Sequence, residues 1–174
     1  PQHEFIADTM WREVAYGRNA VYRNGHHGNA LLSRFPMLSH ENEDISAHAF
    51  ETRGILHCEI RISEKAPVLH CLNVHLGLFE RGRQWQIQAL VDRIRETVPR
   101  DAPMIIAGDF NDWRGKADRT LTDALGVVDG GAARAQCEHV QVVVFARQRG
   151  RLHIGDDRGT DARHLVGSDR HADT

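Results

Sequence analysis

No stretch of these 174 residues approaches the roughly 18 consecutive apolar residues that a membrane-spanning helix needs, so no span is expected. Residues 1–15 have neither a basic start nor an apolar signal core, which leaves the cytoplasm as the default compartment, although a chain beginning Pro-Gln-His is expected to have lost its true start. Cysteine is scarce. Cys58, Cys71 and Cys137 are an odd number without Cys-x-x-Cys spacing, and two of them sit in strand patterns, which argues for buried reduced thiols over a disulfide framework or a zinc site. Charge of one sign is also lacking: a net charge of -2 exerts no global pull toward nucleic acid. With 41% hydrophobic and 26% charged residues the composition is that of a soluble globular protein, and the length suits one domain and not two.

The most informative stretch is 104–112, Met-Ile-Ile-Ala-Gly-Asp-Phe-Asn-Asp. Pro103 suits a strand's first residue, residues 104–107 are a short apolar run, and Gly108 breaks it, so a buried strand ending at Gly108 is predicted. Asp109 and Asn111 are two apart; if the extended conformation persists, their side chains leave the same face at the strand's carboxyl end. A carboxylate that takes a proton or holds a water, beside an amide that stabilises an oxyanion, suits phosphoester hydrolysis next to a divalent metal. Taken alone, the same residues read as a strand followed by an Asp/Asn turn.

Two further stretches change the balance. Asn73-Val74-His75-Leu76 ends the preceding apolar run in the same way, and Gly28-Asn29-Ala30-Leu31-Leu32-Ser33-Arg34-Phe35-Pro36 precedes it. In this order and spacing the three resemble the endonuclease/exonuclease/phosphatase superfamily, the DNase I-like metal-dependent phosphodiesterases and phosphomonoesterases, over about residues 1–128. The resemblance implies a DNase I-like four-layer α/β sandwich, two packed mixed sheets with outer helices, represented incompletely. It implies His75, Asp109 and Asn111 as catalytic residues, Asn29 and Arg34 as substrate-binding, and Mg²⁺ or Mn²⁺ as cofactor with Asp109 among its ligands. Arg83, Gln86 and Leu90 match the family's Arg-x-x-Gln-x-x-x-Leu spacing, which adds Arg83 to the substrate-binding set. The partner is a phosphoester substrate, a nucleic acid or a small or lipid-linked ester, and a monomer is expected. Three activities stay open: a phosphodiesterase or nuclease, a phosphatase, or an inactive remnant that binds phosphorylated ligands.

In chain order, residues 3–11 have a loosely helical spacing leading into an edge strand, interrupted at Gly17, Arg18 and Asn19. Residues 24–28 read as a tight turn that delivers residues 29–34 as a strand; His26 and His27, adjacent on that turn, point apart and suit an exposed or phosphate-facing role better than a metal site. Residues 40–44 read as a solvated acidic loop. From Leu56 to Ile62 the alternation predicts a half-buried antiparallel strand, with Leu56, Cys58, Ile60 and Ile62 on one face and His57, Glu59 and Arg61 on the other. Residues 68–76 are apolar on both faces, as for a strand between a second sheet and a helix layer, and place His75 at its carboxyl end. The spacing of Ile87, Leu90, Val91, Ile94 and Val98 predicts a helix over 83–98 after Gly82. A short helix capped by Asp118 or Thr120 should run to Leu125 and stop at Gly126.

Beyond Val128 the resemblance fades. Val140, Val142 and Val144 are consistent with one more strand, while 147–174 is dense in Arg, Asp, His and Gly, so the expected organisation is a partial domain over 1–146 and a polar tail over 147–174. The family closes with Ser-Asp-His, whose histidine is a general base or phosphate contact and whose Asp supports it or the metal; Ser168-Asp169-Arg170-His171 has those letters with Arg170 inserted. That nominates Asp169 for the metal and His171 for catalysis, but one extra residue in an extended segment turns His171 to the opposite face, and a chance match in a His-rich tail is the commoner explanation. The family's upstream Gln-Glu strand has no counterpart here, so an internal piece of a longer hydrolase, marginal in stability and slow by itself, is expected.

Overall fold

The computed structural model describes residues 11–48, 50–112, 115–129, 136–137 and 140–147. Strands β1 (Glu13–Tyr22) and β2 (Gly25–Ser33) form an antiparallel hairpin. A second sheet carries, in spatial order, β3 (Met37–Asp44), β4 (Gly54–Ile60), β5 (Leu69–His75), β6 (Met104–Asp109), β9 (Val140–Arg147) and β7 (Val128–Asp129), with β8 (Gln136–Cys137) paired to β9. Neighbours run antiparallel except β5 and β6, which are parallel and joined across the sheet by helix α1 (Glu80–Thr97). Helix α2 (Lys116–Leu125) links β6 to β7 and stops at Gly126, whose φ of 64° is the left-handed conformation a glycine cap supplies without strain.

Two apolar clusters explain the layering. On one face of the mixed sheet Leu56, Cys58, Ile60 and Cys71 pack with Ala15 and Leu31 of the hairpin. On the other, Ile55, Leu72, Val74, Met104 and Ile106 pack with Ile87, Leu90, Val91 and Ile94 of α1 and with Ala117, Leu121 and Leu125 of α2. The architecture is therefore α/β of the DNase I-like kind, and the described residues make three of its four layers: helices, mixed sheet and hairpin sheet. Cys58 and Cys71 face each other across β4 and β5 as free thiols, pushed up to about 12 and about 11 by burial.

Several local expectations are corrected. Residues 40–44 are not a loop but most of β3; Arg93 of α1 ion-pairs with Glu41 and Glu43, and Asn42 donates to Asn19 Oδ1 at 3.2 Å, so long-range partners hold a polar segment extended. Charged side chains on such an outer strand also discourage edge-to-edge pairing. Strand β4 is covered on both faces instead of half-buried, because α1 closes over the side that carries His57. The hairpin turn is only Arg23-Asn24, since Tyr22 pairs with Gly25, and residues 25–28 are strand; the interruption near Asn19 is a register shift between Arg18 and Ala20. Helix α1 begins at Glu80, with Gly82 inside its first turn, where a Cβ would lie 3.1 Å from that of Ala47. The strand expected at 140–144 extends to Arg147 and pairs with β6. The helical reading of 3–11 falls outside the described residues apart from Trp11, and the tail from 148 lies outside them too.

A buried pair predicts acid sensitivity. His57 Nε2 and His70 Nδ1 lie 3.0 Å apart in the core. Burial first, then the nearby His70 and Arg93, hold His57 below the ordinary histidine range, against weaker opposing pulls from Glu59 and Glu41. The unfolded chain protonates this side chain near 6.5 and the folded one resists, so the unfolded state binds more protons as pH falls. Stability from this site is complete above about pH 6.5 and is lost below it by up to about 1.4 kcal/mol per pH unit. Urea midpoints measured between pH 7.5 and 5 are expected to fall with acid, and less steeply in His57→Gln.

Candidate active site

Parallel pairing of β5 and β6 sets His75 and Asp109 opposite each other at the strands' carboxyl ends, where ligands of open α/β sheets bind. His75 Nε2 lies 3.9 Å from Asp109 Oδ2, and the Leu76 N–H donates to the Asp109 carbonyl at 2.8 Å. The close approach depends on Gly108, whose φ is 145° and whose missing Cβ would lie 1.9 Å from the Val74 carbonyl oxygen. Phe110, fully buried, anchors the segment between the two polar residues in the helix-side core.

The extended conformation does not persist to Asn111. Its φ is 48°, its N–H donates to Asp109 Oδ1 at 2.9 Å, and its Nδ2 donates to the Leu76 carbonyl at 2.8 Å. The Asp/Asn turn and the convergence of the two side chains are thus one arrangement, because the turn folds Asn111 back onto the loop that follows His75. Next in line, Asp112 Oδ2 accepts from the Ala117 N–H in the first turn of α2, whose N-cap is Gly115 in place of the expected Asp118 or Thr120.

The loop after His75 is held by side chains from three directions. Arg53 Nε donates to the Leu76 carbonyl at 3.1 Å, Gln86 Oε1 accepts from Gly77 N–H at 2.7 Å, and Glu51 Oε1 accepts from Leu78 N–H at 3.0 Å and from Arg53 Nη2 at 3.2 Å. Arg83, buried in the first turns of α1, directs Nη1 at the Gly77 and Leu78 carbonyls at 3.1 and 2.8 Å, so this guanidinium nitrogen orders the loop. Asn29 bridges the sheets: its Nδ2 donates to the Gly54 and Asn73 carbonyls at 2.8 and 3.0 Å, and Asn73 Nδ2 returns a bond to Ala30 at 2.8 Å. Arg34 follows the opposite end of β2 and lies 5.3 Å from the ring centre of Trp11, away from the His75 end. Asp169 and His171 lie outside the described residues.

Glu51 and Arg53 are the residues that sequence reasoning missed. Their only signal is a Glu-Thr-Arg-Gly run just before the alternation of β4, which reads as an ordinary polar lead-in. In space Arg53 adjoins His75. Burial first, then the Arg53 charge, push the imidazole below its ordinary range, with His27 acting in the same direction and Asp109 and Glu51 opposing it. At neutral pH His75 is therefore a neutral imidazole next to a carboxylate and a guanidinium, able to donate its one N–H to an oxyanion, with the tautomer deciding which ring nitrogen donates.

A divalent cation would need about six oxygen ligands. Glu51 Oε2 is buried without a hydrogen-bond partner and Asp109 is nearby, but among the described residues no group of three or more His, Cys, Asp or Glu side chains could hold a metal ion. These residues by themselves do not complete the Mg²⁺ or Mn²⁺ site that the resemblance implies. Titrating Mg²⁺ into the chain calorimetrically is expected to show only weak binding, as for an ion that keeps most of its waters. An affinity of about micromolar or better would mean that further carboxylates close the site.

The chain matches the model of the endonuclease/exonuclease/phosphatase family over residues 2–168. It is 49% identical over 125 residues to the uncharacterized protein YbhP of Escherichia coli (strain K12), an alignment covering 72% of this chain and 49% of that protein. The same figures hold for YbhP of Shigella flexneri, so the chain spans about half the length of the curated relatives it matches. Among solved structures, an endonuclease/exonuclease/phosphatase from Beutenbergia cavernae superposes with a TM-score of 0.62 at 14% identity, covering 82% of this chain and 48% of that one. Truncated TDP2 from Caenorhabditis elegans gives 0.61 at 16%, covering 84% and 65%. The mannosyl-6-phosphatase Bt3783 of Bacteroides thetaiotaomicron gives 0.60 at 15%, covering 83% and 66%. At such identities the superpositions show a shared fold.

Proposed function

Since this chain belongs to the endonuclease/exonuclease/phosphatase family, we propose that it forms part of a hydrolase of phosphoester bonds, of the phosphodiesterase or nuclease type. The observation that carries this reading is the pairing of His75 and Asp109 at adjacent strand ends, with Asn111 folded back between them and the Leu76 carbonyl. Asp109 orients the attacking water and takes its proton. Neutral His75 donates to a phosphoryl oxygen, and Asn111, with one N–H of its amide on Leu76, offers the second to another. Arg53 supplies a fixed positive charge beside them, and Arg83 serves as a positioning residue through the 76–78 loop. Mg²⁺ or Mn²⁺ is the proposed cofactor of the whole protein, with Asp109 and Asp169 among its ligands; the described residues do not by themselves complete its site. His171 is proposed as the additional base or phosphate contact. One fold neighbour is named a mannosyl-6-phosphatase, which keeps small phosphomonoesters within the substrate class.

The test is hydrolysis of bis-p-nitrophenyl phosphate with Mg²⁺, by this chain and by a form extended upstream through a Gln-Glu strand and downstream to Ser-Asp-His, with Asp109→Ala in each. Hydrolysis by the extended form that depends on Asp109 supports the reading. Hydrolysis unaffected by Asp109→Ala in both forms overturns it.

A further inference from the structure

The hairpin reaches beyond the sheet it covers. Strand β1 runs from Ala15, packed with Leu56 and Cys58, toward Asn19, whose Oδ1 would lie 2.2 Å from a Cβ on Gly54. It therefore points the same way as β5, and the segment 20–27 lies past the start of β4, over the end of β5 that carries His75. On β2, Asn29 faces inward onto the Gly54 and Asn73 carbonyls, so His27, two residues nearer the tip, shares that inner face. Tyr22 stacks on His27 with ring centres 5.5 Å apart and planes 28° from parallel. The outward-facing His26 instead engages Tyr16, its Nδ1 2.8 Å from the hydroxyl oxygen.

A cross-strand ring pair at a hairpin tip also steadies the hairpin. Here, however, both rings are exposed, Tyr22 at 62%, on the face turned toward the His75 and Asp109 site. An exposed flat ring supported by a second ring beside a phosphoester site suits a planar group carried by the ester, because ring stacking tolerates any planar partner. Resting on the phosphoester reading above, we propose that Tyr22 and His27 form the subsite for an aryl ring or nucleobase attached to the scissile phosphate, with His27 facing the phosphoryl oxygens across from His75. No family motif or comparison above assigns either residue.

The experiment measures binding of inorganic phosphate and of phenyl phosphate to the 174-residue chain, with and without Mg²⁺, by ¹H–¹⁵N chemical-shift titration. Phenyl phosphate should bind about tenfold more tightly than phosphate, in line with one stacked ring. Tyr22→Leu, which keeps apolar area at the tip, should abolish that ratio without weakening phosphate itself, and Tyr22→Phe should restore it. His27→Asn should weaken both ligands about fivefold or more, whereas His26→Asn should weaken neither. Phosphate binding that depends on His75, with equal affinity for the two ligands and no response to Tyr22 or His27, overturns this subsite and leaves the phosphoester reading standing. Absence of binding by either ligand overturns the subsite, and the phosphoester reading then rests on the Asp109 comparison in the extended form.

Discussion

Asp109→Ala is expected to slow Mg²⁺-dependent hydrolysis of bis-p-nitrophenyl phosphate by the extended protein on the order of a thousandfold or more. Removing the carboxylate takes away the proposed proton acceptor, and a loss of about 4 kcal/mol of transition-state stabilisation corresponds to that factor. It also removes the acceptor of the Asn111 N–H and the carboxylate beside His75. Asp109→Asn separates these effects, because an amide oxygen still accepts from Asn111 and keeps the turn, but carries no charge and takes no proton. Asn at this position should therefore be nearly as slow as Ala while unfolding at nearly the wild-type temperature. A fast Asn variant would show that Asp109 acts by shaping the turn and that another group handles the proton.

Phe110→Ala is expected to destabilise the protein by about 3–5 kcal/mol, a large fraction of the stability of an ordinary domain. Phe110 is fully buried, among the largest side chains of the helix-side core, and its removal leaves a cavity beneath the two residues on either side of it. Those residues are Asp109 and Asn111, so the site loses its support together with the core. Urea unfolding of Phe110→Ala beside Phe79→Ala gives the contrast. Phe79 is 68% exposed, and its replacement should cost no more than about 0.5 kcal/mol. Comparable losses in the two variants would mean that Phe110 is not the anchor its burial indicates.

Much of this was legible along the chain because it depends on neighbours in sequence. The apolar run before Gly108, the spacing of Ile87, Leu90, Val91 and Ile94, and the apolar run ending at His75 each report a period set by a single helix or strand. Those periods placed the elements, while the α/β sandwich and the grouping of His75, Asp109 and Asn111 came from the resemblance of the motifs at their ends to the family. What the tertiary structure decided lies in contacts between residues far apart in sequence. The acidic stretch at 41–43 is extended because Arg93 holds it from 50 or so residues away, and nothing in its own letters competes with a loop reading. Arg83, Gln86, Glu51 and Arg53 became the frame of one loop only when α1 and the start of β4 were brought around Leu76, Gly77 and Leu78. Asn111 left the extended path because the Leu76 carbonyl, 35 residues earlier, was there to receive its amide. Hydrophobic period is a local property of the chain and can be read from it. The partner of a buried polar group is chosen by whichever donor or acceptor the fold carries to it.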